Sequence, residues 1–442
     1  MGKINSFMLK KYIYYFMVCL SCCLPNYTYS QAGTINVKDF GALGDGKTND
    51  TKAIQKAISQ GAKEGKKVVF SKGVYLVDEL TISTSLEGID NVTIQRVPSK
   101  AHRHYDFCVV AKQNNILIKN ITFDANSSKN NTFSNQGIPL FVYLSEEIRI
   151  EKCKFLNSSM SGLRVESSSK ITIDHSEAIN SSGNSGDGYY FTRSTNITVR
   201  NSTATKYTRI GFVVEDNSSE ITFDNCKASY GTDASILSGG TEFNAGFWYE
   251  NSKNVYTTNC IAKNNTHRGF YALSARNGTG SAEFFFDNCI SEDNPVGFAL
   301  ASRRDISVNV RVTNSKSINV DRGFVATARN LDDKFEFDNC EVYMQKIPSG
   351  SLNNVAFMWD SPIAQNNEQY KKLPTFIYSN SRIIYDKNEQ VGILKNPKAN
   401  NGDISTHVGG RANIIIKNVT NSLTQSEIIL KARRGKPEYF YK

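Results

Sequence analysis

Helical patterning is almost missing from this chain. After residue 66, apolar residues hardly ever recur at the three- and four-residue spacing of a helix face. Prolines are few, nine in 442 residues, so little interrupts the short runs of β-branched residues that fill the sequence instead. These absences set aside a helical class and favour an all-β one. Beyond the N-terminus no apolar run is long enough to cross a membrane. The formal charge is +10, but Lys and Arg are dispersed and no nucleic-acid-binding motif occurs, which argues against a nucleic-acid partner. The surplus charge implies another anionic partner, such as an acidic polysaccharide. With only five histidines and two tryptophans in all, each one on an outward face carries weight.

The N-terminus has the layout of a secretory signal peptide. Lys3, Lys10 and Lys11 precede an apolar run from about Tyr12 to Leu24, and small residues Thr28 and Ser30 precede a cut at Gln31. Removal of residues 1–30 and export, to the periplasm or outside the cell, are expected. "CLSC" at Cys19 to Cys22 resembles a lipoprotein site only faintly, so lipid anchoring is the weaker reading. A basic tail over residues 425–442 is expected to leave or close the far end.

The remainder is a repeat. Small residues Cys153, Ser176, Ser202, Cys226, Cys260, Cys289, Ser315 and Cys340 recur at intervals of 23, 26, 24, 34, 29, 26 and 25 residues. Phase-locked to them are "SGLRVES", "DGYYFTR", "IGFVVED", "AGFWYEN", "RGFYALS", "VGFALAS", "RGFVATA" and "VAFMWDS". Each sets a glycine, or Ala356, before a large apolar residue and then alternates with period two. Short strands in coils of roughly 25 residues, each burying its inner side on its neighbours, describe a parallel solenoid of about eleven coils. Stacked in register, Asn201, Asn225, Asn259, Asn288, Asn314 and Asn339 form a ladder of turn amides, and His175 shares that station. The cysteines read as an inward column of small side chains with free thiols, because in-register stacking suits disulfide geometry poorly.

The stretch Ile35 to Val77, "INVKDFGALGDGKTNDTKAIQKAISQGAKEGKKVVFSKGVYLV", reads as strand, glycine turn, helix and strand. Asn49 or Asp50 serves as N-cap, and Ala53, Ile54, Ala57 and Ile58 form the apolar side of the helix. This stretch resembles the opening segment of the pectate-lyase-like superfamily of right-handed parallel β-helices, to which polygalacturonases, rhamnogalacturonases, several lyases and phage tailspikes belong. The resemblance implies an all-β, single-stranded right-handed β-helix over residues 31–424, capped by that helix. It does not carry catalytic residues across. The N-T-D, D-D, G-H-G and R-I-K motifs of polygalacturonases, the D-P-H-E of alginate epimerases and the W-x-D-H of classical pectate lyases are all missing.

Alternation places one set of residues outward on five successive coils. These are Arg164 and Glu166; Tyr190 and Thr192; Arg209, Val213 and Glu215; Asn244, Trp248 and Glu250; His267, Tyr271 and Leu273. Arg268 shares its station with Arg322 and reads as part of the repeat. Two long insertions, at residues 123–139 and 228–243, enter on the side leading to this face. "AHRHYDF", with His102 and His104, lies about six coils from His267 and reads as a solvated loop or a distal anion site.

Two chemistries compete for the face. Elimination on a uronic acid needs a cation beside the sugar carboxylate, a base for the C5 proton and often a phenol as acid. His267, Tyr190 and Arg209 supply these, with Arg164, Lys206, Trp248 and Tyr271 binding substrate, and a dehydratase would use the same groups. Hydrolysis needs paired carboxylates, and Glu215 and Glu250 share one strand station on adjacent coils, with Glu166 further along. Elimination is the leading expectation. Beside Asp216 the same carboxylates would also suit a calcium ion. A glycan-binding β-helix without catalysis is the remaining class. A monomer acting on an acidic polysaccharide or its oligosaccharides is expected.

Overall fold

The computed structural model describes residues 33–97, 107–127, 137–232, 244–274, 281–344, 355–362, 372–385, 404–406, 412–422 and 430–432. The signal-peptide stretch, His102, His104 and the middles of both insertions therefore lie outside the described residues. Alternation builds the walls: in Thr195–Arg200, Ile197 and Val199 point inward and are buried while Thr198 faces out. Every pairing between named strands is parallel, so each coil lies on the next with like positions aligned. Among the described residues the face that carries the candidate site stacks thirteen strands, from Leu80–Thr81 to Leu430–Ala432, where about eleven coils were expected. Leu430–Ala432 pairs with Ile404–Thr406, so the expected tail beginning at residue 425 contains a strand of the stack. No helix among the described residues is long and apolar enough to cross a membrane.

The phenylalanine of each repeat explains why the coils stay in register. Tyr189, Phe212, Phe247, Phe270, Phe298, Phe324 and Phe357 form one inner column with ring centroids 4.6–5.3 Å apart. All seven are fully buried. Sliding one coil by a residue would expel its ring to the outer face and break the column.

The expected asparagine ladder forms in pairs, because Asn201, Asn259 and Asn314 donate instead to Asp174, Asp224 and Asp287 on the coil before. Asn225 donates to Asn201 at 2.8 Å, Asn288 to Asn259 at 2.8 Å and Asn339 to Asn314 at 2.7 Å. Each sits in the left-handed region, φ 50–55°, which asparagine tolerates better than most side chains. His175 occupies the same station at φ 49°, its Nδ1 2.7 Å from Asp174. The described cysteines are free and buried. Their column does more than fill space: Cys226 N–H donates to Cys260 Sγ at 3.4 Å, and Cys289 N–H to Ser315 Oγ at 3.1 Å. A small side chain here can satisfy a backbone donor of the coil before it, which is why serine and cysteine interchange there.

The cap helix spans Thr51–Glu64 and buries Ile54, Ala57 and Ile58 against the end of the stack. Asp50 is its N-cap, but its buried carboxylate accepts from the N–H groups of Leu43 and Gly44 instead of the helix. Asn49 takes over the first turn by accepting from the Thr51 N–H.

Candidate functional site

The site is built on the strands Leu163–Glu166, Tyr189–Thr192, Ile210–Glu215, Ala245–Thr258 and Arg268–Ser274. Pairing aligns Arg164, Tyr190, Val213, Trp248 and Tyr271 in one outer row. A second row runs Glu166, Thr192 and Glu215, with Glu250 on the next rung beside Glu215. Rung spacing puts the Cα atoms of Glu215 and Glu250 about 4.8 Å apart.

At the corner before each strand the expected alternation slips by one. The glycine was expected to point out; in fact its side faces in, against the neighbouring wall. A Cβ on Gly211 would meet Ala228 Cβ and the Gly246 carbonyl oxygen, each at 2.6 Å. The residue before the glycine therefore turns outward, which brings Asp187, Ile210, Ala245 and Arg268 onto the face. Asn244, expected outside, is buried in the corner and donates to the carbonyls of Thr208, Arg209 and Thr232.

Part of the row is covered. Val213, expected in solvent, is buried with Ile210, Ala245 and Trp248 in an outer apolar cluster against which Tyr190 and Tyr271 pack. Thr192 and Leu273 are buried as well. Trp248 is only 5% exposed, so it supports the site and offers no open stacking face. Its ring lies 3.9 Å from Tyr271, and its Nε1–H donates to Glu250 Oε2 at 3.2 Å.

The polar groups divide into two sets. In the first, Arg209 forks onto the fully buried Asp187 at 2.8 and 2.5 Å and lies 5.7 Å above the Tyr190 ring. Arg164 sits over the same ring and donates twice to Glu166, at 3.0 and 2.7 Å, while Arg193 holds the other Glu166 oxygen. The Tyr190 hydroxyl donates to Glu215 Oε2 at 2.8 Å. In the second set, Arg303 donates to Glu250 Oε1 at 2.6 Å, and Arg268 lies over Trp248 and Tyr271 at 5.5 and 5.2 Å.

These contacts separate the two carboxylates electrically. Burial raises the Glu215 carboxyl above its ordinary range, and the charges of Asp187 and Glu250 add to this against the pull of Arg209 and Tyr190. Glu250 instead has an arginine on one oxygen and an indole N–H on the other. Burial, with the Glu215 charge behind it, keeps Tyr190 a neutral phenol. Burial works to lower Arg209, but the Asp187 carboxylate outweighs it and keeps the guanidinium charged.

Sequence reasoning brought together Arg164, Glu166, Tyr190, Arg209, Glu215, Trp248, Glu250 and Tyr271. His267 is half-buried at the corner before Arg268, two rungs or about 10 Å along the stack from Arg209. Lys206 lies elsewhere: it is exposed at φ 58° in a turn column with Asn180 and Tyr230, off this face. Asp187, Arg303 and Arg268 were passed over. Asp187 stands before a glycine in "GDG", and that was its only signal. Every carboxylate of the expected calcium row is answered by side-chain donors, and among the described residues no three His, Cys, Asp or Glu side chains converge to hold a metal.

A model of the family described as rhamnogalacturonase A/epimerase, pectate lyase-like, matches residues 34–237. Over that segment the chain is similar to the pectate-lyase-like superfamily, and its stack has the parallel β-helix fold. Among solved structures, an exopolygalacturonase of Thermotoga maritima is 13% identical, with a TM-score of 0.53, over 70% of this chain and 87% of that one. A surface adhesin of Streptococcus pneumoniae, 14% identical, also gives 0.53, over 92% of this chain and all of that one. Both likenesses are of fold. A glucan 1,3-β-glucosidase of Cochliobolus carbonum is 44% identical over 54 residues, 12% of this chain. The match spans only 7% of that relative's length.

Proposed function

We propose that this protein is an exported carbohydrate-active enzyme that hydrolyses a glycosidic bond in an acidic, uronate-containing polysaccharide or its oligosaccharides, acting as a monomer. The observation that carries this is the Glu215–Glu250 pair: two carboxyls on adjacent rungs, one buried beneath the Tyr190 hydroxyl and raised by that burial, the other gripped by Arg303 and the Trp248 indole. Glu215, the protonated member, gives its proton to the leaving oxygen. Glu250, fixed through both oxygens by Arg303 and Trp248, attacks the anomeric carbon or steadies its positive charge. Arg209 and Tyr190 hold Glu215 in place, and Asp187 holds Arg209.

The rung spacing of about 4.8 Å is that of the two Cα atoms, and it lets the carboxyls stand at the 5–5.5 Å that retaining glycosidases use. Retention of anomeric configuration is therefore part of the proposal. The expected test is substitution. Glu215→Gln and Glu250→Gln should each lower turnover of uronate oligosaccharides by at least about a thousandfold while binding persists. Unchanged turnover in either variant, with the fold intact, would remove that residue from the mechanism.

Elimination is the second reading, and the charged Arg209 guanidinium beside the neutral Tyr190 phenol favours it. There Arg209 would neutralise a sugar carboxylate, Tyr190 would protonate the leaving oxygen and His267 would take the C5 proton. Its weakness is that Arg209 already has a buried carboxylate as partner.

A further inference from the structure

We propose that Arg268, Arg303 and Arg329, gathered around Tyr271, form a subsite for a carboxylate or sulfate on the sugar next to the cleaved bond. The proposal uses the hydrolase reading only to say where the cleaved bond lies. Arg268 lies 5.2 Å over the Tyr271 ring, the Arg303 N–H donates to Ser274 Oγ at 2.8 Å and the Arg329 N–H to Ser302 Oγ at 2.7 Å, so the three stand on stacked turns beside Tyr271; their charges oppose the burial that raises the Tyr271 hydroxyl. They come from three successive coils: Arg268 opens its strand, and Arg303 and Arg329 lie in the turns after Val296–Ala301 and Arg322–Thr327. Between them the face carries Ala299, Ala301, Val325 and Thr327, small and half-buried, so a sugar ring can approach.

The donors are built in. Arg303 gives one edge to Glu250, yet its Nε–H is buried and has no hydrogen-bond partner among the described residues. A buried donor of that kind carries a cost that an oxyanion would relieve. No described carboxylate pairs with the exposed Arg329 side chain. Its turn is rigid, because the Asp333 carboxylate accepts from Arg329 N–H at 3.0 Å, Asn330 N–H at 2.8 Å and Val308 N–H at 2.9 Å. Arg268 stacks its flat face on Trp248 and Tyr271, and a guanidinium stacked this way still directs its N–H groups outward in its own plane. The acidic neighbours are engaged elsewhere: Glu250 with Arg303 and Trp248, and Asp333 with backbone N–H groups and Ser302.

The test is binding, which separates this subsite from catalysis. The Glu215→Gln protein is titrated with uronate tetrasaccharides and sulfated tetrasaccharides, each beside its carboxyl-reduced or desulfated counterpart. At least one anionic member should bind at least tenfold more tightly than its neutral counterpart. Arg329→Ala should weaken that member about tenfold, the worth of one charge-assisted hydrogen bond, and leave the neutral counterpart as weak as before. Arg304→Ala, an exposed arginine one residue beyond Arg303, is the control and should change neither. The carboxylate and sulfate arms show which anion is read. Equal binding of charged and neutral forms, an unaffected Arg329→Ala, or no binding by any anionic member would overturn the subsite. Charge-selective binding with no turnover by the unsubstituted chain would instead overturn the hydrolase reading and leave the subsite standing.

Discussion

Burial of the Glu215 carboxyl sets a pH limit on the site. Its folded value lies above the ordinary carboxylate value, so between the two the folded chain holds the proton and the unfolded chain does not. Stability therefore falls as pH rises through that window, and the pool of protonated acid falls with it. Activity should decline on the alkaline side at this raised value, and in Glu215→Gln the stability slope there should become shallower, the remainder coming from Asp187 and Asp333, which burial also raises; paired pH–rate and pH–unfolding profiles check both. Asp187 is the residue whose loss should cost most in structure. Asp187→Asn leaves Arg209, only about one-fifth exposed, without its counter-charge, an expected loss of about 3 kcal/mol in urea unfolding. A loss below about 1 kcal/mol would mean that Arg209 finds another partner.

At the scale of strands and turns, the corner glycine explains both what was legible and what was not. Alternation counted forward from the glycine placed Tyr190, Trp248, Glu215 and Glu250 on the outer face, where they are. Counted backward it failed, because both the glycine and the phenylalanine after it face inward. That slip hid Asp187 and gave Arg268 to the repeat. The column predicts that Gly211→Ala is destabilising by about 1–3 kcal/mol, since its Cβ would meet a carbonyl oxygen and Ala228 Cβ, neither of which can swing away. The turn ladder makes the opposite prediction for His175. His175→Asn restores the side chain that suits φ 49° and should keep or slightly raise the melting temperature, whereas a fall would mean that the contact to Asp174 matters more.

For the whole molecule, the interval between small residues and the phase-locked glycines carried the parallel stack, because identical stations on successive coils must solve the same packing problem. The chemistry was less legible for a matching reason: a face residue acts through neighbours two rungs away, and spacing along the chain does not reveal which side chains meet. Arg303 holds Glu250 across 53 residues, and the Arg329 turn binds back to Ser302 across 27. The same geometry turns an elimination-like row of cations into a set of paired charges around two carboxyls. The central claim is that these two carboxyls cleave a glycosidic bond with water. The most direct measurement is a digestion of uronate-containing oligosaccharides by the unsubstituted protein, followed by absorbance near 235 nm and by proton NMR of the new reducing end. New reducing ends that first appear with the substrate's own anomeric configuration, without absorbance, are the predicted result. A 4,5-unsaturated product, or an inverted first-formed anomer, would contradict it.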